Sequence, residues 1–197
     1  MISNKFSILV VTGNQGKLEE YREILNNDKI RLDSSSIDLE EIQSEDIREV
    51  AHKKIQQAVS NIPNANEYDC VICDDTALSI ESMNNLPGTF IKWFLKALGP
   101  KGIFNALPNE QNPASAICLI NAYFPKTNSY EQFYGEVEGQ VIEPRGKVGF
   151  GWDSIFLPDN QQKTFGEMLS EKKNTCSHRS VAIKLFLNYC AELRLVN

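Results

Sequence analysis

One stretch near the start limits what this chain can fold into. Ile8, Leu9, Val10 and Val11 form an unbroken apolar run, as expected of a strand covered on both faces. Thr12-Gly13-Asn14 breaks that run. Gly13 permits a backbone with positive φ, and Asn14 tolerates one and can cap a following helix. Leu18, Tyr21, Arg22 and Leu25 then recur at helical spacing, with Glu19, Glu20 and Glu23 on the wet side. A buried strand feeding a tight turn into a helix implies an α/β layer structure. It also aims free N–H groups and the positive helix end at one spot, with Lys17 beside it. The spot suits an anion, or is an ordinary βα turn with a surface lysine. It is not a Walker A loop, because the long glycine-to-lysine spacing is absent.

A chain of 197 residues with 42% hydrophobic and 23% charged content fits one globular domain, taken as residues 1–197. No apolar run is long enough to span a membrane, and no basic-then-apolar leader precedes the first strand. The expected location is the cytoplasm, with no membrane partner. A net charge of −6 argues against a nucleic-acid partner but leaves room for a small anionic substrate. Five scattered cysteines in such a chain predict free thiols rather than disulfides. Cys70 and Cys73 stand three apart in a strand-like run and so point to opposite faces, which argues against zinc.

Further along, Ile30 to Asp33 reads as a short strand and Ser34 to Gln43 as a polar loop carrying Asp38, Glu40 and Glu41. That acidic cluster is a solvated face, or one member reaches a hard cation. A helix is expected from Ser44, with Ile47, Val50, Ala51, Ile55, Ala58 and Val59 as its apolar face. Lys54 falls in that stripe, where it either snorkels to solvent or reaches a phosphate; Lys53 and Gln57 face away. Val71 to Thr76 reads as a strand ending in the adjacent carboxylates Asp74 and Asp75. Ligands of α/β sheets bind at carboxyl ends of strands, and a divalent cation would relieve the repulsion between the pair. The alternative is a turn and a helix cap.

After the turn at Pro87-Gly88, the run Phe90 to Leu95 is too apolar for an exposed helix and fits a core or a subunit interface, with Lys92 its one charge. Ser115 to Phe124 and Ser129 to Ile142 read as an antiparallel hairpin. Glycines 146, 149 and 151 make a loop carrying Phe150, Trp152 and Asp153, which either approaches a ligand and stacks on a base or merely closes over the core. Ser177 reads as the cap of the last helix, with His178 and Arg179 projecting from its start. No nucleophile elbow exists, so Ser177-His178 is not read as part of a hydrolase triad.

Five fragments stand in an order that resembles one family. They are Thr12-Gly13-Asn14-x-x-Lys17, Asp74-Asp75-Thr76, Leu86-Pro-Gly88 with Ile91-Lys-Trp93, Phe150-Gly-Trp-Asp153, and Lys173-Asn174-x-x-Ser177-His-Arg179. The family is the inosine triphosphate pyrophosphatase family, also called Ham1-like, and its eukaryotic branch is the more similar. The resemblance implies an elongated two-lobed α/β subunit whose twisted mixed sheet, flanked by helices, borders an active-site cleft between lobes. It also implies a homodimer that hydrolyses ITP, dITP and XTP to the monophosphate and pyrophosphate, with Mg2+ or in its place Mn2+. On this resemblance Thr12, Gly13, Asn14, Lys17 and Lys54 would hold the triphosphate. Glu41, or Glu40 beside it, and Asp75 would hold the metal, and Asp75 or Asp74 would act as the catalytic base. Lys92, Phe150, Gly151, Trp152, Asp153, Lys173, His178 and Arg179 would bind the nucleotide. Phe150 would stack on the purine, while Lys173, His178 and Arg179 read its 6-keto edge. Three departures from the family pattern are Ser154 for proline, Gly166 for alanine and Cys176 for an aliphatic residue. A modified pyrimidine triphosphate as substrate, or a nucleotide-binding regulator without turnover, are the alternatives.

Overall fold

The buried run at the start becomes β1 (Phe6–Val11), every residue of which is enclosed. The computed structural model describes residues 5–193. β1 is enclosed because it pairs in parallel on both sides, with β2 (Ile30–Ser35) and β3 (Cys70–Ile80). A strand covered on two faces and two edges has no use for polar side chains, hence the unbroken apolar run. Between β1 and β2 lies α1 (Gln15–Ile24), capped by Asn14, whose side-chain oxygen accepts from the Lys17 N–H at 3.1 Å. Leu18 and Tyr21 of α1 are buried, and so is Glu20, which the spacing had put on the wet side. Gly13 does not use the positive φ that glycine permits, and a Cβ there would meet no atom within 4 Å.

α2 (Ile47–Asn61) begins at Ile47 rather than Ser44. Asp46 is its cap, accepting from the Arg48 N–H at 2.8 Å. Ser44 instead donates its hydroxyl to Glu49 at 2.8 Å. Val50, Ala51, Ile55 and Ala58 are the buried stripe, as the spacing predicts.

β3 overturns one sequence expectation. It does not end at the two carboxylates but continues to Ile80, with β4 (Pro87–Gly88) paired antiparallel at Leu78–Ser79. Leu78 and Ile80 are fully buried, so the apolar side chains beyond the carboxylates keep the strand going. α3 (Ile91–Asn105) is broken at Gly99, where φ is 65°, and Pro100 starts its second segment. β5 (Asn112–Phe124) and β6 (Ser129–Val141) follow, joined by the turn at 125–128, and β7 (Phe156–Pro158) pairs antiparallel with β6. α4 (Ser170–Cys176) and α5 (His178–Glu192) complete the chain. The strands form one mixed seven-stranded sheet in the order β2-β1-β3-β5-β6-β7, with β4 beside β3.

Contacts divide the chain into two compact units. The first comprises the described residues up to Asp75, with Leu119–Tyr134 and those from Ala182 on; the second comprises Thr76–Cys118 and Gly135–Val181. In the first unit, α2 lays Ile55 and Ala58 on Leu9, Val11, Val71, Cys73 and Tyr123. The rings of Phe124, Phe133, Phe186 and Tyr189 pack together as a separate aromatic group of that unit. In the second unit, Leu78, Ile80, Ala114, Val141, Trp152, Phe156 and Phe165 form the core, with Phe94 and Leu95 of α3 against it. The apolar run of α3 is therefore partly core, while its Trp93 stays 47% exposed. All five cysteines are free. Among the described residues no helix is long and apolar enough to cross a membrane.

Candidate functional site

Each unit carries a cluster of the polar side chains that the sequence singled out. In the first unit the cluster grows from β3. Neighbouring residues on a strand point to opposite faces, so Asp74 and Asp75 do not share one space as their adjacency suggested. Asp74 meets α1: the Lys17 ammonium lies 3.2 Å from its carboxylate and donates to its carbonyl oxygen, also at 3.2 Å. Asp75 meets α2: the Lys54 ammonium lies 2.7 Å from its Oδ1. Each carboxylate thus has its own lysine.

Lys54 also lies 3.2 Å from Glu41 Oε1 and so joins the acidic loop to β3. This separates Glu41 from its neighbour. Glu40 is held through its backbone, its N–H donating to Gln57 Oε1 at 3.0 Å and its carbonyl accepting from Gln57 Nε2 at 2.9 Å. Gln57 is a residue that the sequence reading set aside as facing away from the apolar stripe. Its spacing of three from Lys54 on one helix was the signal, since such residues are neighbours on the helix surface.

The electrostatics follow from this geometry. Burial works to lower the Lys54 pKa, but Asp75 first, then Glu41 and Asp74, hold the ammonium above its usual value. Burial pushes the Cys73 thiol up, so it is not a thiolate nucleophile. Asp75 Oδ2 is buried and has no hydrogen-bond partner among the described residues. A buried carboxylate oxygen left in that state is costly. It would be satisfied by a hard cation or a water. Among the described residues no three His, Cys, Asp or Glu side chains gather as a metal cage. A hard dication is usually held by one or two carboxylates, with substrate phosphates and waters completing its shell. Glu41 and Asp75 are the two carboxylates that fit. Thr12 and Asn14 stand at the entry to α1, with the Asn14 N–H donating to Thr12 Oγ1 at 3.2 Å.

The cluster of the second unit grows from the glycine-rich loop. Gly146, Gly149 and Gly151 have φ of 81°, 80° and 61°, which lets the loop turn tightly. Asp153 ties it down: its Oδ2 accepts from the Phe150 N–H at 2.9 Å, and its own N–H donates to the Phe150 carbonyl at 3.1 Å. The same Oδ2 lies 2.6 Å from the Lys173 ammonium of α4, and both side chains are buried. That ammonium stands 4.7 Å from the Phe150 ring centre, and the Arg179 guanidinium stands 5.9 Å from it. Cation and ring attract at such distances.

His178 and Arg179 begin α5 behind Ser177, whose hydroxyl accepts from the Ser180 N–H at 3.2 Å, as the capping expectation required. Both are buried, being 2% and 1% exposed. Trp152 packs inward, with its ring 5.1 Å from that of His178 and 5.6 Å from Phe156. A Cβ added at Gly151 would lie 3.7 Å from Leu95 Cδ1, an ordinary contact, so the glycine is required there by its φ of 61° rather than by space. Lys92 lies on the first turn of α3 with its ammonium 5.6 Å from the Trp93 ring.

Two of the three departures from the family pattern touch each other. A Cβ added at Gly166 would lie 2.7 Å from Ser154 Cα, 3.0 Å from Ser154 N and 2.9 Å from the Arg145 carbonyl. Those are backbone atoms, which cannot swing aside. Gly166→Ala is therefore expected to destabilise the protein by about 1–3 kcal/mol, the usual range for overpacking. Urea denaturation checks this, and an unchanged midpoint would mean that the loop shifts freely.

The Ham1 family model matches residues 8–189. The inosine triphosphate pyrophosphatase of Kluyveromyces lactis is 38% identical over 189 residues, covering 94% of this chain and 96% of that protein. The enzyme of the same name from Saccharomyces cerevisiae is 39% identical over 190 residues, covering 92% and 94%. Among solved structures, the Staphylococcus aureus Ham1 protein superposes with a TM-score of 0.70 at 25% identity, covering 94% of this chain and 98% of that one.

Proposed function

The chain belongs to the Ham1 family, and from that premise we propose that it hydrolyses inosine triphosphate and the related dITP and XTP to the monophosphate and pyrophosphate. It is a hydrolase of nucleoside triphosphates. The observation that carries the chemistry is Lys54, set between Asp75 at 2.7 Å and Glu41 at 3.2 Å, with Asp75 Oδ2 buried and unbonded beside it.

The polyphosphate would be held by Lys17, Lys54, Thr12, Asn14 and the exposed N–H groups at the start of α1, which together favour an anion. A Mg2+ ion held by Glu41 and Asp75 would neutralise charge on the phosphate oxygens and make a bound water more acidic. Asp75 would accept the proton, through its unbonded Oδ2, as water attacks the α-phosphorus. The bond from that phosphorus to the bridging oxygen then breaks, and pyrophosphate leaves. Asp74, bonded to Lys17, keeps that lysine in position. The Phe150 ring would stack on the purine, with Asp153 fixing the loop that bears it. Lys173 and Arg179, beside that ring, supply donors for a 6-keto oxygen. Adenine would present an amino group to those donors and leave them unpaired, which is the physical basis for rejecting ATP. The protein acts as a homodimer in this reading.

Pyrophosphate release from ITP, XTP, dITP, ATP and GTP, with Mg2+ and with EDTA, tests the proposal. Release is expected from the first three only in the presence of metal, at least about 100-fold faster than from ATP. Equal turnover of ATP would remove the base-reading assignment, and release in EDTA would remove the metal.

A further inference from the structure

Lys54 is more than a lysine awaiting phosphate. Its ammonium occupies the point at which oxygens from two separate segments converge, Glu41 from the acidic loop and Asp75 from β3. Its side chain is only 13% exposed, so solvent does little to weaken the pairing. Those two oxygens belong to the two carboxylates that fit a divalent cation. A dication held by the same two carboxylates, whether at these oxygens or at Asp75 Oδ2 beside them, would lie close to the ammonium, and like charges so close repel strongly where water is scarce.

We infer that Lys54 is the resident counter-ion of the metal site: it holds Glu41 and Asp75 together before a metal arrives, and yields them only when a polyphosphate draws its ammonium away. The inference rests on the reading of Glu41 and Asp75 as metal ligands. Three features of the site agree with it. The ammonium bridges the loop to β3, so the ligands are already gathered. Gln57 holds the loop backbone at Glu40, one residue before Glu41, so this arrangement does not depend on metal. The other lysine, Lys17, is bonded to Asp74 on the opposite strand face and does not contest the same oxygens. One consequence is that free metal binds weakly to the protein alone. Another is that nucleotide and metal bind with positive coupling, because the polyphosphate takes the ammonium as the carboxylates take the cation. The enzyme would then not be trapped holding metal without substrate.

Calorimetric titration of Mn2+ into nucleotide-free protein tests this without any turnover. Lys54→Gln keeps a hydrogen-bond donor toward Asp75 while removing the charge, so the fold is retained; a cooperative melt of each variant checks that. Lys54→Gln is expected to bind Mn2+ at least about tenfold more tightly than wild type, the scale expected from removing one competing charge beside a dication. Lys54→Arg keeps the charge and is expected to bind as weakly as wild type. Unchanged or weaker Mn2+ affinity in Lys54→Gln overturns the inference. Adding Glu41→Gln or Asp75→Asn to the Lys54→Gln variant separates the two ideas. Loss of Mn2+ binding on either addition upholds the metal-site reading whatever Lys54 does. Indifference to both additions overturns that reading and this inference with it.

Discussion

Asp75→Asn is expected to lower kcat/KM for ITP by about 1,000-fold or more, measured as Mg2+-dependent pyrophosphate release. Asparagine keeps the size of the side chain and one oxygen. It removes the charge that pairs with Lys54 at 2.7 Å and the basic oxygen at Oδ2. A neutral amide is a poor ligand for a hard dication and does not take a proton from water, so binding of metal and activation of water fail together. The fold should survive, because Lys54 keeps Glu41 at 3.2 Å and the strand around Asp75 is held by its own ladder. A variant that melts near wild type and is inactive assigns the loss to chemistry. A variant within tenfold of wild-type activity would remove Asp75 from the reaction.

Asp153→Ala is expected to have the largest effect on stability, about 3–5 kcal/mol in urea denaturation. The Asp153 carboxylate and the Lys173 ammonium lie 2.6 Å apart with side chains 6% and 5% exposed. Alanine removes the carboxylate and leaves a buried ammonium without that counter-charge, a situation that costs far more than losing a surface pair. It also deprives the Phe150 N–H of its acceptor at 2.9 Å. The loop that positions Phe150 would loosen, so KM for ITP should rise in whatever protein remains folded. Asp153→Asn keeps an acceptor for that N–H and should keep the loop better than Asp153→Ala. Equal loop disorder in both, read by hydrogen exchange at Phe150, would show that the acceptor does not matter there.

The two predictions draw on different kinds of legibility. Asp75 was singled out by its place in an ordered set of fragments, but its surroundings were not legible there. A pair of adjacent carboxylates reads as the end of a strand, because charge inside a sheet is costly. Here the strand runs on through them, since Lys17 and Lys54 come from two different helices to neutralise one each. The burial of His178 and Arg179 was likewise invisible in the capping pattern that placed them at the start of α5. Polar types at a helix start read as exposed until the packing around them is known.

What the sequence determined by itself was local and periodic: the buried strand β1, the Asn14 cap, the apolar stripe of α2, the Ser177 cap and the family to which the ordered fragments belong. The strand, stripe and caps each depend on residues within a few positions of one another, where backbone geometry translates spacing into direction, and the family rests on the order of short fragments of that kind. The tertiary structure alone decided which side chains meet. It paired Glu41 with Lys54 while Gln57 clamps the loop backbone at Glu40, and it set Asp74 and Asp75 against different helices. It also brought Ser154 and Gly166 into contact across a gap that no pattern within the sequence spans. Those choices are set by packing and by the need to pair buried charge, and both act between residues that are far apart along the chain.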